Sequence, residues 1–251
     1  MNAGTSCSEC RLDKIVDQNG TIRELFYDKL GRLIVDRVAV LGAGVDGAVR
    51  RVETVYDSRG RVETRTNYSA ATSGSGTVVN QLKNEYDAFG RVTREYQSHA
   101  GAVNTGTTSY VEYEYAGGSA NTLRSTRVRY PNGRAVDYAY GASGSDNDRL
   151  SRVYQLKDGA TVLAQYDYLG AGGFVRCDLL QPQIRWNLSP SGNAFSGLDS
   201  LDRTVDCLWQ KYAPSASTPV QVGYTYDGRA TARRATWRGR RATTNCIVTT
   251  P

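Results

Sequence analysis

The segment Tyr27-Asp28-Lys29-Leu30-Gly31-Arg32-Leu33 returns as Tyr56-Asp57-Ser58-Arg59-Gly60-Arg61-Val62 and again as Tyr86-Asp87-Ala88-Phe89-Gly90-Arg91-Val92, at spacings of 29 and 30 residues. With 17 Tyr and 26 Gly in 251 positions, chance supplies only about 0.01 copies of the four fixed residues. A repeat of this period means one small unit used many times, and it rules out most folds built around a single closed core. Looser copies follow. Tyr130-Pro131-Asn132-Gly133-Arg134 keeps the Tyr and the Gly-Arg, and Tyr166-Asp167-Tyr168-Leu169-Gly170 keeps Tyr-Asp and Gly. Leu198-Asp199-Ser200-Leu201-Asp202-Arg203 puts Asp202 in the glycine place, and Tyr226-Asp227-Gly228-Arg229 starts the motif and departs from it.

Each motif residue has a mechanical part to play. Tyr ends a strand and lays an amphipathic ring on a pleated face. Asp accepts a hydrogen bond from the backbone two residues on, which starts a turn. Gly at the end of the turn permits φ > 0, the conformation of a type I turn closed by a G1 bulge. Arg and an aliphatic residue then open the returning strand, and Asp28 and Arg32 face each other across the turn. The flanks alternate as strands do. Val62, Thr64, Thr66 and Tyr68 interleave with Glu63, Arg65 and Asn67; Val111, Tyr113 and Tyr115 interleave with Tyr110, Glu112 and Glu114; Val136, Tyr138 and Tyr140 follow the same rule. Turn-rich stretches fall at 67–80, 97–108, 141–148, 189–197 and 213–218, and no segment holds a helical period over 11 or more residues. The expected fold is all-β: consecutive antiparallel hairpins forming one long curved sheet.

The motif residues are where a resemblance enters. Tyr-Asp-x-x-Gly-Arg-[Leu/Val] at this spacing resembles the YD-repeat (Rhs-repeat) family, most specifically over Phe26–Val92 and more weakly to about Asp227. Between Val111 and Val205 the chain is similar to Rhs proteins of environmental bacteria, some of which carry a wall-associated label. The resemblance implies an arc of a shell in which hairpins add side by side around a C-terminal toxin, or a surface-interaction module. It implies other repeat segments or a toxin cargo domain as partners, and a place outside the cytoplasm. The family's core segment with Asp-Pro-x-Gly has no counterpart, since the chain contains no Asp-Pro pair. On this reading the repeat motif residues are Tyr27, Asp28, Gly31, Arg32, Tyr56, Asp57, Gly60, Arg61, Tyr86, Asp87, Gly90, Arg91, Tyr130, Gly133 and Arg134. The chain divides into 1–14 with a Cys-x-x-Cys, 15–227 with the repeats, and a basic tail at 228–251.

Charge and chemistry narrow the function. The formal charge of +6 comes from the tail, which has six arginines and no acid, while residues 1–227 are formally neutral. A nucleic-acid partner is therefore not expected for the body. The abrupt change after Asp227 is what translation in a shifted frame would produce; a basic tail that binds an anionic surface and an ordinary exposed terminus are the alternatives. No run approaches the roughly 18 apolar residues of a membrane span, and Met1–Arg11 has no apolar signal-peptide core.

Catalytic and metal constellations are missing from the pattern. Cys7 and Cys10 form a lone pair without two further zinc ligands, so a local disulfide or plain thiols fits better. His99 is the one histidine and sits in a loop sequence. Glu112 and Glu114 share a strand face that reads as solvent side. Asp146-Asn147-Asp148 reads as a solvated turn, and Gly42–Gly47 is followed by a strand pattern where a dinucleotide loop would need a helix. No cofactor and no enzyme activity are expected. A stand-alone module binding carbohydrate or cell-wall polysaccharide through tyrosine rows is the second expectation.

Overall fold

The computed structural model describes residues 11–118, 121–171, 173–188, 197–212, 217–226 and 232–239; for 217–219 and 232–239 only the backbone is considered. Cys7, Cys10, Cys246, Asp227–Arg229 and most of the tail lie outside the described residues. The chain is all-β and forms two compact units, Met1–Glu114 with Arg129–Gly133, and Tyr115–Val128 with Arg134–Pro251.

Unit 1 contains β1 (Lys14–Val16), β2 (Ile22–Tyr27), β3 (Leu33–Val40), β4 (Arg51–Tyr56), β5 (Val62–Tyr68), β6 (Val78–Tyr86), β7 (Val92–Ser98) and most of β8 (Tyr110–Tyr115). Each strand pairs antiparallel with the one before it. Unit 2 contains most of β9 (Ser125–Arg129), then β10 (Ala135–Ala139), β11 (Gln155–Asp158), β12 (Thr161–Leu169), β13 (Gly173–Leu179), β14 (Ile184–Asn187), β15 (Asp206–Lys211), β16 (Ser217–Tyr226) and β17 (Ala232–Gly239). Its strands also add in sequence order, all antiparallel. Within each unit, therefore, hairpins add side by side into one sheet, as the alternation of Tyr, Val and Thr with charged residues predicts. Ala232–Gly239, in the basic tail, is a strand on β16.

One element departs from the sequence reading. Asp146–Arg149, expected as a turn, is a single helical turn α1, because Ser145 caps it by accepting from the Asp148 N–H.

The sheet carries opposite charges in register. Glu24 faces Arg37, Glu112 faces Arg94, and Asp178 faces Arg185 directly across neighbouring strands, with N–O distances of 2.6, 2.9 and 2.6 Å. Cross-strand ion pairs of this kind fix register, on a face that water reaches for Glu24 and Glu112 and beneath the surface for the buried Asp178. In unit 2 the opposite requirement is met by an apolar cluster of Val175, Leu188, Cys207 and Val222, against which Leu169, Trp186, Leu198, Val220 and Tyr224 pack. Among the described residues no helix is long and apolar enough to cross a membrane.

Candidate functional site

The motif turns join even-numbered strands to the odd-numbered strands that follow, at residues 27–33, 56–62 and 86–92. Their geometry is identical at the level of hydrogen bonds. In the first, the Asp28 N–H donates to the Arg32 carbonyl at 2.9 Å and the Gly31 N–H to the Asp28 carbonyl at 3.0 Å. Asp28 Oδ1 accepts from the N–H of Leu30 and of Arg32, both at 2.9 Å, while Oδ2 accepts from Arg32 Nε at 2.7 Å. Asp57 with Arg61 and Asp87 with Arg91 repeat these contacts. Gly31, Gly60 and Gly90 have φ of 81°, 82° and 88°, and the register slips by one residue at Phe26/Tyr27, Val55/Tyr56 and Glu85/Tyr86, which is the bulge that closes each turn.

The aspartates are held below the ordinary carboxylate value. For Asp28 and Asp57 the first cause is the backbone N–H of Arg32 and Arg61, helped by the guanidinium and opposed by desolvation. For Asp87 and Asp199 desolvation is the largest single cause and pushes upward, but the hydrogen bonds from Arg91 and Arg203 together outweigh it.

The arginine so aimed reaches forward to the next hairpin. The guanidinium of Arg32 lies 4.3 Å from the ring centre of Tyr56, and that of Arg61 lies 4.2 Å from Tyr86. Tyr56 then donates its hydroxyl to the carbonyl of Leu33 at 3.1 Å, and Tyr86 to that of Val62 at 2.7 Å, each the residue just after the stacked arginine. Every such pair is a lock: a cation–π stack and a hydrogen bond tie the end of one hairpin to the start of the preceding return strand.

The lock extends beyond the motif. In unit 1, Arg11 stacks on Tyr27 at 5.7 Å and Tyr27 donates to Leu12. In unit 2, Arg124 with Tyr140, Arg152 with Tyr168 and Arg203 with Tyr226 stack at 4.8, 4.7 and 4.5 Å. Their tyrosines donate to Ser125, Val153 and Thr204 at 2.8, 2.7 and 2.7 Å. Only Arg203 among these three is aimed by a motif aspartate, Asp199, at 2.7 Å; there Asp202 takes the glycine place at φ 59°. Arg124 is held by Asp148 at 2.7 Å and by Ser151 at 3.2 Å, and Arg152 by the Gly170 carbonyl. The sequence reading missed Arg11, Arg124 and Arg152, because without Asp and Gly beside them only an Arg just ahead of a strand and a Tyr closing a later one remain as signals.

Tyr130-Pro131-Asn132-Gly133 lies at the β9–β10 connection, an odd-to-even turn, where the Gly133 N–H donates to the Tyr130 carbonyl at 2.9 Å. Tyr130 thus stands in the place that Asp holds in the motif turns, and Arg134 pairs with Asp158 at 2.8 Å.

The other candidates are spread out. Glu112 and Glu114 pair with Arg94 and Arg129. Asp148 accepts from the Gly144 N–H and from Arg124, and both hold its carboxyl low. Gly42–Gly47 is a loop followed by strand β4. His99 lines an open cavity of about 630 Å³ with Glu95, Ser98, Ser109 and Tyr110. Cys177 and Cys207 are free thiols, both pushed up by burial. Among the described residues no group of three His, Cys, Asp or Glu could hold a metal ion.

No family model matches the chain, and no curated protein does. Solved structures do. The crystal structure of TcdB2-TccC3-Cdc42 is similar over 91% of this chain at 12% identity, with a TM-score of 0.56. That of TcdB2-TccC3-TEV is similar over 90% at 11% identity, with a TM-score of 0.49. In both cases the match spans 12% of the other chain, so this chain corresponds to about an eighth of those proteins. The likeness at 0.56 is one of fold.

Proposed function

We propose that this chain is a non-catalytic YD/Rhs-repeat scaffold, a segment of a shell that encloses a C-terminal toxin or forms a surface-interaction module outside the cytoplasm. The observation that carries the proposal is the recurrence of the Arg–Tyr lock: the polar side chains that recur with the hairpins are spent on joining one hairpin to the next. Side chains so committed set the pitch of a wall, and among the described residues they leave no repeated reactive group. The fold likeness to a TcdB2-TccC3 protein and the Tyr-Asp-x-x-Gly-Arg resemblance support the same reading. Other repeat segments, or a cargo domain of a larger chain, are its partners.

The test is to sequence the encoding DNA on both sides of this stretch in all frames, then to express the whole reading frame and digest it. More Tyr-Asp-x-x-Gly-Arg repeats, with a C-terminal part that resists protease until the shell is denatured, is the expected result. Absence of further repeats on either side would remove the shell reading. A stand-alone polysaccharide-binding module is the second reading. It rests on the half-exposed Phe174 and Trp209, which flank Trp186 on neighbouring strands, since most of the motif tyrosines are already bonded in locks.

A further inference from the structure

Each full motif turn is closed by one bridge, between the residue in the tyrosine place and the residue after the arginine: Tyr27 with Leu33, Tyr56 with Val62 and Tyr86 with Val92. In unit 2 the same bridge joins Tyr168 to Phe174 and Leu198 to Thr204. Register therefore puts Leu169 in the aspartate place and Gly173 in the arginine place of the first of these turns. It puts Leu198 in the tyrosine place of the second. The lock that would tie these two turns together has lost its aspartate, its arginine and its tyrosine. The backbone does not demand the glycine, since Gly173 has no left-handed φ and a Cβ there would meet nothing within 4 Å. Where the lock would stand, a cavity of about 750 Å³ opens, in the size range of small-molecule sites. Its apolar wall is made of Leu169, Phe174, Val175, Trp186, Leu188 and Leu198. Phe174 and Trp186 meet edge to face at 5.1 Å.

Asp202 is the charged side chain that lines this cavity. It holds a left-handed φ of 59° in the place where the full motif has glycine, and backbone strain of this kind points to a functional constraint. Among the described residues its carboxylate has neither an ion pair nor a hydrogen bond. We propose that the cavity is a binding site for a small aromatic amine. The ring fills the space of the missing arginine and tyrosine, and the ammonium faces Asp202. Edge or offset contact with Phe174 and Trp186 adds to the area the ring buries. A neutral ring leaves the carboxylate without a partner, and an anion is repelled by it. A saccharide would bring many hydroxyls to a wall that offers them few hydrogen bonds. The site stands apart from the shell reading. It shares Phe174 and Trp186 with the polysaccharide reading, which predicts no charge order among the probes that follow.

Calorimetric titration of the full chain at neutral pH with phenethylamine, phenethyl alcohol and 3-phenylpropionate tests this. The amine should bind with a dissociation constant of about 0.1–1 mM, the alcohol about tenfold more weakly and the carboxylate not measurably. Asp202→Asn keeps a residue that tolerates left-handed φ and should bring the amine down to the affinity of the alcohol. The double substitution G173R/L198Y should fill the cavity and abolish amine binding, with a melting temperature equal to or above that of the parent chain. If that variant folds poorly, Asp202→Asn still decides. No amine binding at about 10 mM, equal affinity for the three probes, or a preference for the amine that survives Asp202→Asn overturns the proposal. So does amine binding retained by a folded G173R/L198Y chain.

Discussion

Among the described residues the buried side chains of unit 1 are Thr21, Arg51, Thr54, Thr66 and Tyr96, whereas unit 2 buries Val128, Ala164, Val175, Leu188, Cys207, Leu208 and Val222, with Asp178. Unit 1 also holds the three full motif copies and the looser Tyr130–Gly133 turn, and unit 2 the other degenerate ones. The two inventories are complementary. A lock supplies about 1 kcal/mol from its hydroxyl bond and a comparable amount from its stack, which is close to the roughly 2 kcal/mol of one buried aliphatic side chain. Beside the apolar cluster the turn at 199–203 replaces the glycine with Asp202 but keeps its aspartate, whereas unit 1 keeps the full turn. Arg51 shows how far unit 1 relies on polar contacts. At 1% exposure it donates to the carbonyls of Ala70, Thr72 and Ser75 and stacks 4.1 Å from Tyr68, while its Nε lies 2.8 Å from Glu53 but off-line for a hydrogen bond.

The largest expected effect that sharpens this contrast is Gly60→Val. A β-branched residue at φ 82°, whose Cβ would stand 3.0 Å from Arg32, costs about 3 kcal/mol or more. Urea unfolding measures it, and unchanged stability would remove the claim that unit 1 depends on its turns. Next come Arg61→Lys and Arg152→Lys. An ammonium cannot stack as a planar guanidinium does, so each loses about 1–2 kcal/mol. A loss confined to Arg61 would mean that the lock is only an accessory of the motif aspartate.

Tyr86→Phe and Tyr168→Phe each remove a hydroxyl bond to a carbonyl and should cost about 1 kcal/mol, Tyr86→Phe slightly more because its hydroxyl also accepts from Asn84 at 3.4 Å. Thermal melts of the two variants compare the units directly. Acid gives a subtler signal. Asp28, Asp57, Asp87 and Asp199 have folded values below their unfolded ones. Their contribution is therefore present above the unfolded value of about 3.9 and is lost as pH falls through the folded values. The melting temperature should fall below about pH 4, and Asp57→Asn should shrink that slope. The smallest effect has the opposite sign. Asp202→Gly relieves a left-handed aspartate at φ 59° and should stabilise by about 0.5–1 kcal/mol.

Much of this architecture was legible in the residues. Tyr-Asp-x-x-Gly-Arg names a turn whose hydrogen bonds are all local, so its geometry follows from six residues, and the alternation of Val62–Tyr68 names the strand that leaves it. The helical turn at Asp146–Arg149 was hidden because a single capped turn has no period. The locks of Arg124 and Arg152 were hidden for a different reason. Their aiming groups, Asp148 and the Gly170 carbonyl, lie 24 and 18 residues along the chain, and nothing in the local sequence marks them.

What the sequence by itself determined is the hairpin unit: where the chain turns, which residue takes φ > 0, and which arginine pairs with its own aspartate. Those contacts close within five residues and do not wait for the rest of the fold. Only the tertiary structure decided what each arginine does next. Stacking on a tyrosine 16 to 25 residues away requires two hairpins to lie side by side in one register, and that register is set by backbone pairing and cross-strand charges, not by the turn.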